Sequence, residues 1–199
     1  MAWIFDFYRT GCIIFILSKT AGKGDRMRFR HVFLIIIVSG LALNSSCTEE
    51  SKAATVLRSY SCDDKTDVLT SEGLEADQEL QQEGRACFRI KAVENRVIPL
   101  YETGDIEAED TTIIYEASLK TQNLEGKAYL EMWCVFNEKG EFFSRGLDQI
   151  LSGSADWTRV ATPFFLKTGE NPDNVRLNLV IEGKGTACID DIKLLKQNK

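Results

Sequence analysis

The last forty or so residues constrain the fold more than any other part of the chain. From Asp156 they read DWTRVATPFFLKTGENPDNVRLNLVIEGKGTACIDDIKLLKQNK. Three strand-like runs follow one another here, at residues 158–166, 175–181 and 186–194. Each alternates apolar with polar side chains for part of its length, and each is bounded by Gly, Pro, Asn or Asp. That is the pattern of half-buried antiparallel strands.

The same reading extends upstream. Residues 84–90, 96–101, 111–121 and 141–145 are expected strands, and residues 67–70 have weak strand character. Residues 127–137 form the most apolar strand, carrying Tyr129, Leu130, Met132, Trp133, Val135 and Phe136. Asn137-Glu138-Lys139-Gly140 reads as a hairpin turn, with Gly where positive φ is required. Residues 146–155 read as a loop. Eight or nine short strands in about 130 residues, with no amphipathic helix, predict an all-β, two-sheet antiparallel sandwich.

The N-terminal segment has a different character. Residues 27–30 are a short basic stretch, and residues 32–43 are an apolar run followed by Asn44-Ser45-Ser46-Cys47. Twelve residues reach about 18 Å as a helix. That is too short for a bilayer core of roughly 30 Å and suits the apolar region of a signal peptide. Met27 supplies a start beside the basic stretch. Residues 1–26 are therefore expected to be an extension upstream of the translated protein, with a second hydrophobic anchor as the alternative. The expected organisation is extension 1–26, signal 27–47, polar tether 48–60 and a β domain over 61–199.

Charge and residue usage exclude several functions. Residues 1–46 hold six Lys/Arg and two Asp/Glu, which leaves 18 against 28 and a net charge of −10 for the remainder. Such a surface repels nucleic acid. The only histidine, His31, lies inside the expected signal. A mature chain without histidine has no Ser-His-Asp or Cys-His catalytic group and no His-ligated metal. Carboxylate chemistry of the glycosidase kind stays open, with Glu131 and Asp190 as a pair that could face one another across a cleft. Cys62, Cys87, Cys134 and Cys188 remain beyond the leader. They allow up to two disulfides in three pairings. They contain no CxxC spacing, which argues against zinc. Cys134, inside the apolar 129–136 run, is expected to pack as a buried thiol.

The C-terminal order of motifs resembles one fold. Trp157 opens a strand that ends Pro163-Phe164-Phe165-Leu166, a Val-x-Leu-x-Leu strand follows at 175–179, and Ile189-Asp190-Asp191-Ile192 closes the chain. This looks like the galactose-binding-like jelly roll of carbohydrate-binding modules of families four, nine and twenty-two. Gly73-Leu74-Glu75 resembles the Gly-Phe-Glu near the start of such modules. The resemblance spans about residues 73–195 and implies a jelly-roll sandwich. It further implies a structural calcium held by Glu75 and Asp190, and a packing role for Trp157. First and last core strands are often neighbours in such folds, so it also implies a Cys87–Cys188 disulfide. The segment ending at Cys47 resembles a bacterial lipoprotein signal, in which the Cys carries the lipid. Asn44 stands where those signals usually have Leu. The resemblance implies a membrane-anchored envelope protein, with secretion in soluble form as the alternative.

Alternation in the 127–137 strand sets Tyr129, Glu131 and Trp133 on the face opposite Leu130, Met132 and Cys134. With Phe143, Arg145 and Gln149 from the next segments, these residues are candidates for stacking on sugar rings and binding their hydroxyls. The expected function is a non-catalytic exported binding module with a polysaccharide or glycan as partner. A structural or protein-interaction envelope lipoprotein that binds no sugar is the alternative.

Overall fold

The computed structural model describes residues 53–198 except 64, 81, 83 and 85. The expected extension, signal peptide and lipid-bearing Cys47 lie outside the described residues.

The described chain is eight antiparallel strands: β1 (Thr55–Tyr60), β2 (Leu74–Asp77), β3 (Cys87–Ala92), β4 (Arg96–Thr103), β5 (Thr111–Phe136), β6 (Gly140–Arg145), β7 (Leu151–Phe165) and β8 (Asn174–Asn198). β5 and β8 organise the rest. They pair with each other from Thr111↔Asn198 to Val135↔Asn174 and change their outer partners halfway. The second half of β5 is flanked by β6 and the first half of β8 by β4, giving one sheet in the order β4–β8–β5–β6. The first half of β5 is flanked by β7, and the second half of β8 by β3 and β1. That makes the other sheet, with β2 at the edge of β3.

The change of sheet happens where Gly126 lies opposite Gly183. Their φ angles are +135° and +107°. A Cβ on Gly126 would sit 1.9 Å from the Glu182 carbonyl oxygen, and one on Gly183 would sit 1.8 Å from that of Glu125. Only glycine allows both the conformation and the backbone approach. Past this bend, alternate side chains of both halves enter one core. Leu130, Met132, Cys134, Leu177 and Leu179 come from one sheet, and Ile113, Tyr115, Leu119, Ile189 and Leu194 from the other.

Several expectations about strand boundaries are corrected. Residues 111–121 and 127–137 belong to one strand, as do 175–181 and 186–194, because the glycines between them bend the chain without ending its pairing. Thr55–Tyr60, expected as tether, is strand β1 on β8, pinned by Arg58 Nε to Thr103 Oγ1 at 3.1 Å and by Tyr60 stacked on Tyr101 at 4.1 Å. Residues 67–70 are turn and bend, and β7 already begins at Leu151 within the expected loop. Trp157, expected to pack, is only half-buried, whereas Phe164 seven residues later packs against the core. Cys134 is a buried core thiol whose pKa is pushed up to about 12 by desolvation.

Candidate ligand-binding face

The outer face of the β4–β8–β5–β6 sheet gathers most of the residues singled out from the sequence. Strand alternation turns Leu130, Met132 and Cys134 inward and leaves Tyr129, Glu131 and Trp133 outward. The same period on β8 buries Leu177 and Leu179 and turns Arg176, Asn178 and Val180 to this face. Pairing then fixes neighbours. Glu131 lies opposite Arg145 on β6 and Asn178 on β8, and Trp133 lies between Phe143 and Arg176.

Glu131 is the centre of this arrangement. It is only 3% exposed, although it carries a charge. Its Oε1 accepts from Trp133 Nε1 at 2.7 Å and from Asn178 Nδ2 at 3.1 Å, and its Oε2 accepts from Arg145 Nε at 2.6 Å. Burial alone would raise its pKa. The three donors and the guanidinium charge outweigh burial and hold the carboxyl below its ordinary value, so it stays ionised at neutral pH.

Around Glu131 the face is aromatic and evenly charged. Trp133 and Phe143 meet at 5.0 Å between ring centroids with a 44° tilt. Arg145 lies over the Phe143 ring at 4.5 Å and Arg176 over Trp133 at 5.9 Å. Phe143 is 49% exposed and Val97 of β4 is 56% exposed, so apolar surface is offered at both margins. Tyr129 is buried and donates its hydroxyl to Glu182 Oε1 at 2.8 Å. Its pKa is pushed up to about 12, by burial first and then by Glu182. Glu182 in turn pairs with Lys127 at 3.1 Å, and Arg176 pairs with Glu141 at 2.7 Å. A depression of about 280 Å³ lies between Val97, Tyr129, Glu131 and Arg145.

Tyr129, Glu131, Trp133, Phe143 and Arg145 thus share one face, while the other candidates lie elsewhere. Gln149 belongs to the turn before β7, where its Oε1 accepts from the Ala161 amide. Asp190 sits on the outer face of the other sheet, so it shares no cleft with Glu131, and the expectation of a facing carboxylate pair is corrected. Its carboxylate accepts from the Gln82 and Asp191 amides, each at 2.8 Å. Glu75 is exposed on β2 opposite Arg89, with β3 between it and β8. Among the described residues no group of three or more His, Cys, Asp or Glu is placed to hold a metal ion. Cys87 and Cys188 lie on adjacent strands β3 and β8 as buried thiols.

Sequence reasoning missed Asn178, Arg176 and Val97. The alternation Val175-Arg176-Leu177-Asn178-Leu179 already sets Arg176 and Asn178 opposite the apolar face. What it does not carry is the pairing that brings them beside Glu131 and Trp133.

Known proteins add the fold. No family profile matches the sequence, and no curated protein is significantly similar to it. Solved structures are similar in three dimensions. The CBM22-1 xylan-binding domain of Paenibacillus barcinonensis Xyn10C superposes with a TM-score of 0.53 at 11% identity, over 75% of this chain and 99% of that one. The CBM22-1–CBM22-2 tandem of the same protein gives 0.56 at 10% identity, over 75% of this chain and 48% of the tandem. The chain has the β-sandwich fold of carbohydrate-binding modules. A further xylan-binding CBM 22 domain matches at 0.50 and 5% identity, over 73% of this chain and 97% of that one. The resemblance to family twenty-two modules therefore holds for the fold, and at these identities for the fold alone.

Proposed function

We propose that this protein is a non-catalytic glycan-binding module whose ligand lies across the outer face of the β4–β8–β5–β6 sheet. The observation that carries the reading is Glu131, a buried, ionised carboxylate locked by three donors and bordered by half-buried Trp133 and exposed Phe143. A carboxylate has about four acceptor sites. Three are taken, which leaves one for a sugar hydroxyl held in a fixed direction. Arg145 engages Glu131 through Nε, and its terminal nitrogens point to further hydroxyl contacts. Phe143 and Trp133 supply ring faces for the apolar side of a pyranose.

Charge balance narrows the ligand class. Each cation at the heart of this face is matched: Arg145 by Glu131, Arg176 by Glu141, Lys127 by Glu182. Arg96 also lines the depression but donates to the Glu72 carbonyl at 3.0 Å, so little free positive charge meets a ligand and the face suits a neutral glycan over a polyanionic one. The xylan-binding neighbours of the same fold put xylan first among polysaccharides to test. The carboxylates argue against hydrolysis. A glycosidase needs one carboxylic acid with a raised pKa. Here Glu131 and Glu182 are both shifted down, by hydrogen-bond donors and nearby cations. Export through residues 27–47 and lipid attachment at Cys47 complete the reading as an envelope-anchored module.

Affinity electrophoresis of the full chain through gels containing xylan, other neutral polysaccharides or polyuronates tests the proposal. Retardation by a neutral polysaccharide, abolished by Phe143→Ala, is the expected result. Free migration in every neutral gel, or retardation unaffected by Phe143→Ala, overturns it and favours the protein-interaction alternative.

A further inference from the structure

On the opposite outer face, β3 and β8 bring two cysteines together. The ladder pairs Phe88 with Ile189 and Arg89 with Cys188, which sets Cys87 one diagonal step from Cys188. Phe88, Ile90, Ala187 and Ile189 point into the core, so both cysteines point out of it on the same side. A diagonal pair on an antiparallel ladder has Cα atoms about 7–8 Å apart, just beyond what an unstrained disulfide spans. Closure therefore draws β3 towards β8 without a change of register. Cys62 and Cys134 belong to the core cluster instead.

The two sulfurs differ in access. Cys87 is fully buried, whereas Cys188 lines a cavity of about 340 Å³ with Lys120, Gln122, Asp156 and Thr186. Cys188 is also flanked in register by Arg89 on β3 and Lys120 on β5. Both cations are already paired, Lys120 with Asp156 at 2.7 Å and Arg89 with Asp77 at 3.3 Å, so the cavity, and not net charge, opens Cys188 to a small disulfide.

We propose that Cys87 and Cys188 form an oxidisable pair that closes into a disulfide by way of Cys188. With glutathione disulfide as oxidant, the Cys188 thiolate attacks one sulfur, forms a Cys188–glutathione mixed disulfide and releases one glutathione thiolate. Cys87 then attacks the Cys188 sulfur, its proton passes to the departing glutathione sulfur, and the second glutathione leaves as a thiol. Two electrons pass to the oxidant, which becomes two glutathione thiols. The bond staples the β2–β3 edge to the central strand β8. It lies on the outer face of the sheet that does not carry Glu131, so it is independent of the glycan reading.

The test is non-reducing peptide mapping of the reduced, folded full chain after incubation with glutathione disulfide, acid quenching and alkylation in denaturant. One cross-linked peptide joining Cys87 to Cys188 is expected, with Cys62 and Cys134 recovered alkylated. In Cys87→Ser the glutathione mixed disulfide is expected to accumulate on Cys188, and in Cys188→Ser none is expected on Cys87. The wild-type map needs no variant to fold. Recovery of Cys87 and Cys188 both alkylated, a cross-link from either to another cysteine, or a mixed disulfide on Cys87 in place of Cys188 overturns the proposal.

Discussion

Arg145 holds Glu131 across the β5–β6 ladder, its Nε donating to Oε2 over 2.6 Å while the rest of its guanidinium reaches solvent. The pair joins a carboxylate that the fold has buried to a cation on its margin. Replacing Glu131 by Ala leaves Trp133 Nε1 and Asn178 Nδ2 without their acceptor. Orphaned buried donors cost about 1–3 kcal/mol each. Glu131→Ala is expected to lower unfolding stability by about 3 kcal/mol in urea titrations. Arg145→Ala, which leaves Glu131 two of its donors, is expected to cost less. Equal losses from the two changes would show that the guanidinium, and not the buried donors, dominates.

The same carboxylate sets a pH dependence. Its folded pKa lies below the ordinary value of 4.5, since the donors from Trp133, Arg145 and Asn178 and the charge of Arg145 outweigh the opposing effect of burial. Between the depressed folded pKa and 4.5 the unfolded chain binds more protons, so stability rises with pH in that window. The contribution is complete above 4.5 and is lost as pH falls through the folded pKa. Urea midpoints from pH 6 to pH 3 are expected to fall less steeply for Glu131→Gln than for the wild type. Parallel curves would mean that Glu131 has the same pKa folded and unfolded.

Two tryptophans on different faces separate ligand contact from general packing. Trp133 stands beside Phe143 on the proposed glycan face, whereas Trp157 is half-buried on β7, a strand of the other sheet. Trp133→Ala is expected to weaken binding of a neutral polysaccharide by roughly tenfold or more, the scale of a central aromatic contact. Trp157→Ala is expected to leave it unchanged. Isothermal titration calorimetry on both variants reads the difference directly.

How much of this was legible beforehand follows from which interactions are local. Period-two alternation is local, so the outward set Tyr129, Glu131 and Trp133 could be read from one strand, and the sandwich from several. Pairing is not local. Asn178 donates to Glu131 from 47 residues away, and nothing near either residue marks the other. β1 was hidden for a similar reason, since Thr55–Tyr60 is a short strand of mixed polarity whose assignment depends on β8 at the far end of the chain. The long strands β5 and β8 were misread because glycine within a strand pattern marks a terminus as readily as a bend. Only the backbone approach of Gly126 to Glu182, and of Gly183 to Glu125, distinguishes the two.

That approach gives a final prediction. Gly126 and Gly183 face each other where β5 and β8 pass from one sheet to the other, and a methyl group at either would fall inside a carbonyl oxygen of the opposite strand. Relief requires the strands to separate at the bend, which breaks ladder hydrogen bonds on both sides of it and shifts the Glu131–Asn178 pairing five residues away. Gly153 also has positive φ, +64°, yet a Cβ there meets nothing within 4 Å. Gly153→Ala therefore measures the backbone cost alone, about 1 kcal/mol. Gly126→Ala and Gly183→Ala are expected to cost several kcal/mol more, enough to leave the domain unfolded or aggregated on expression. Thermal melts that place all three variants within a few degrees of one another would mean that the bend opens without loss of pairing.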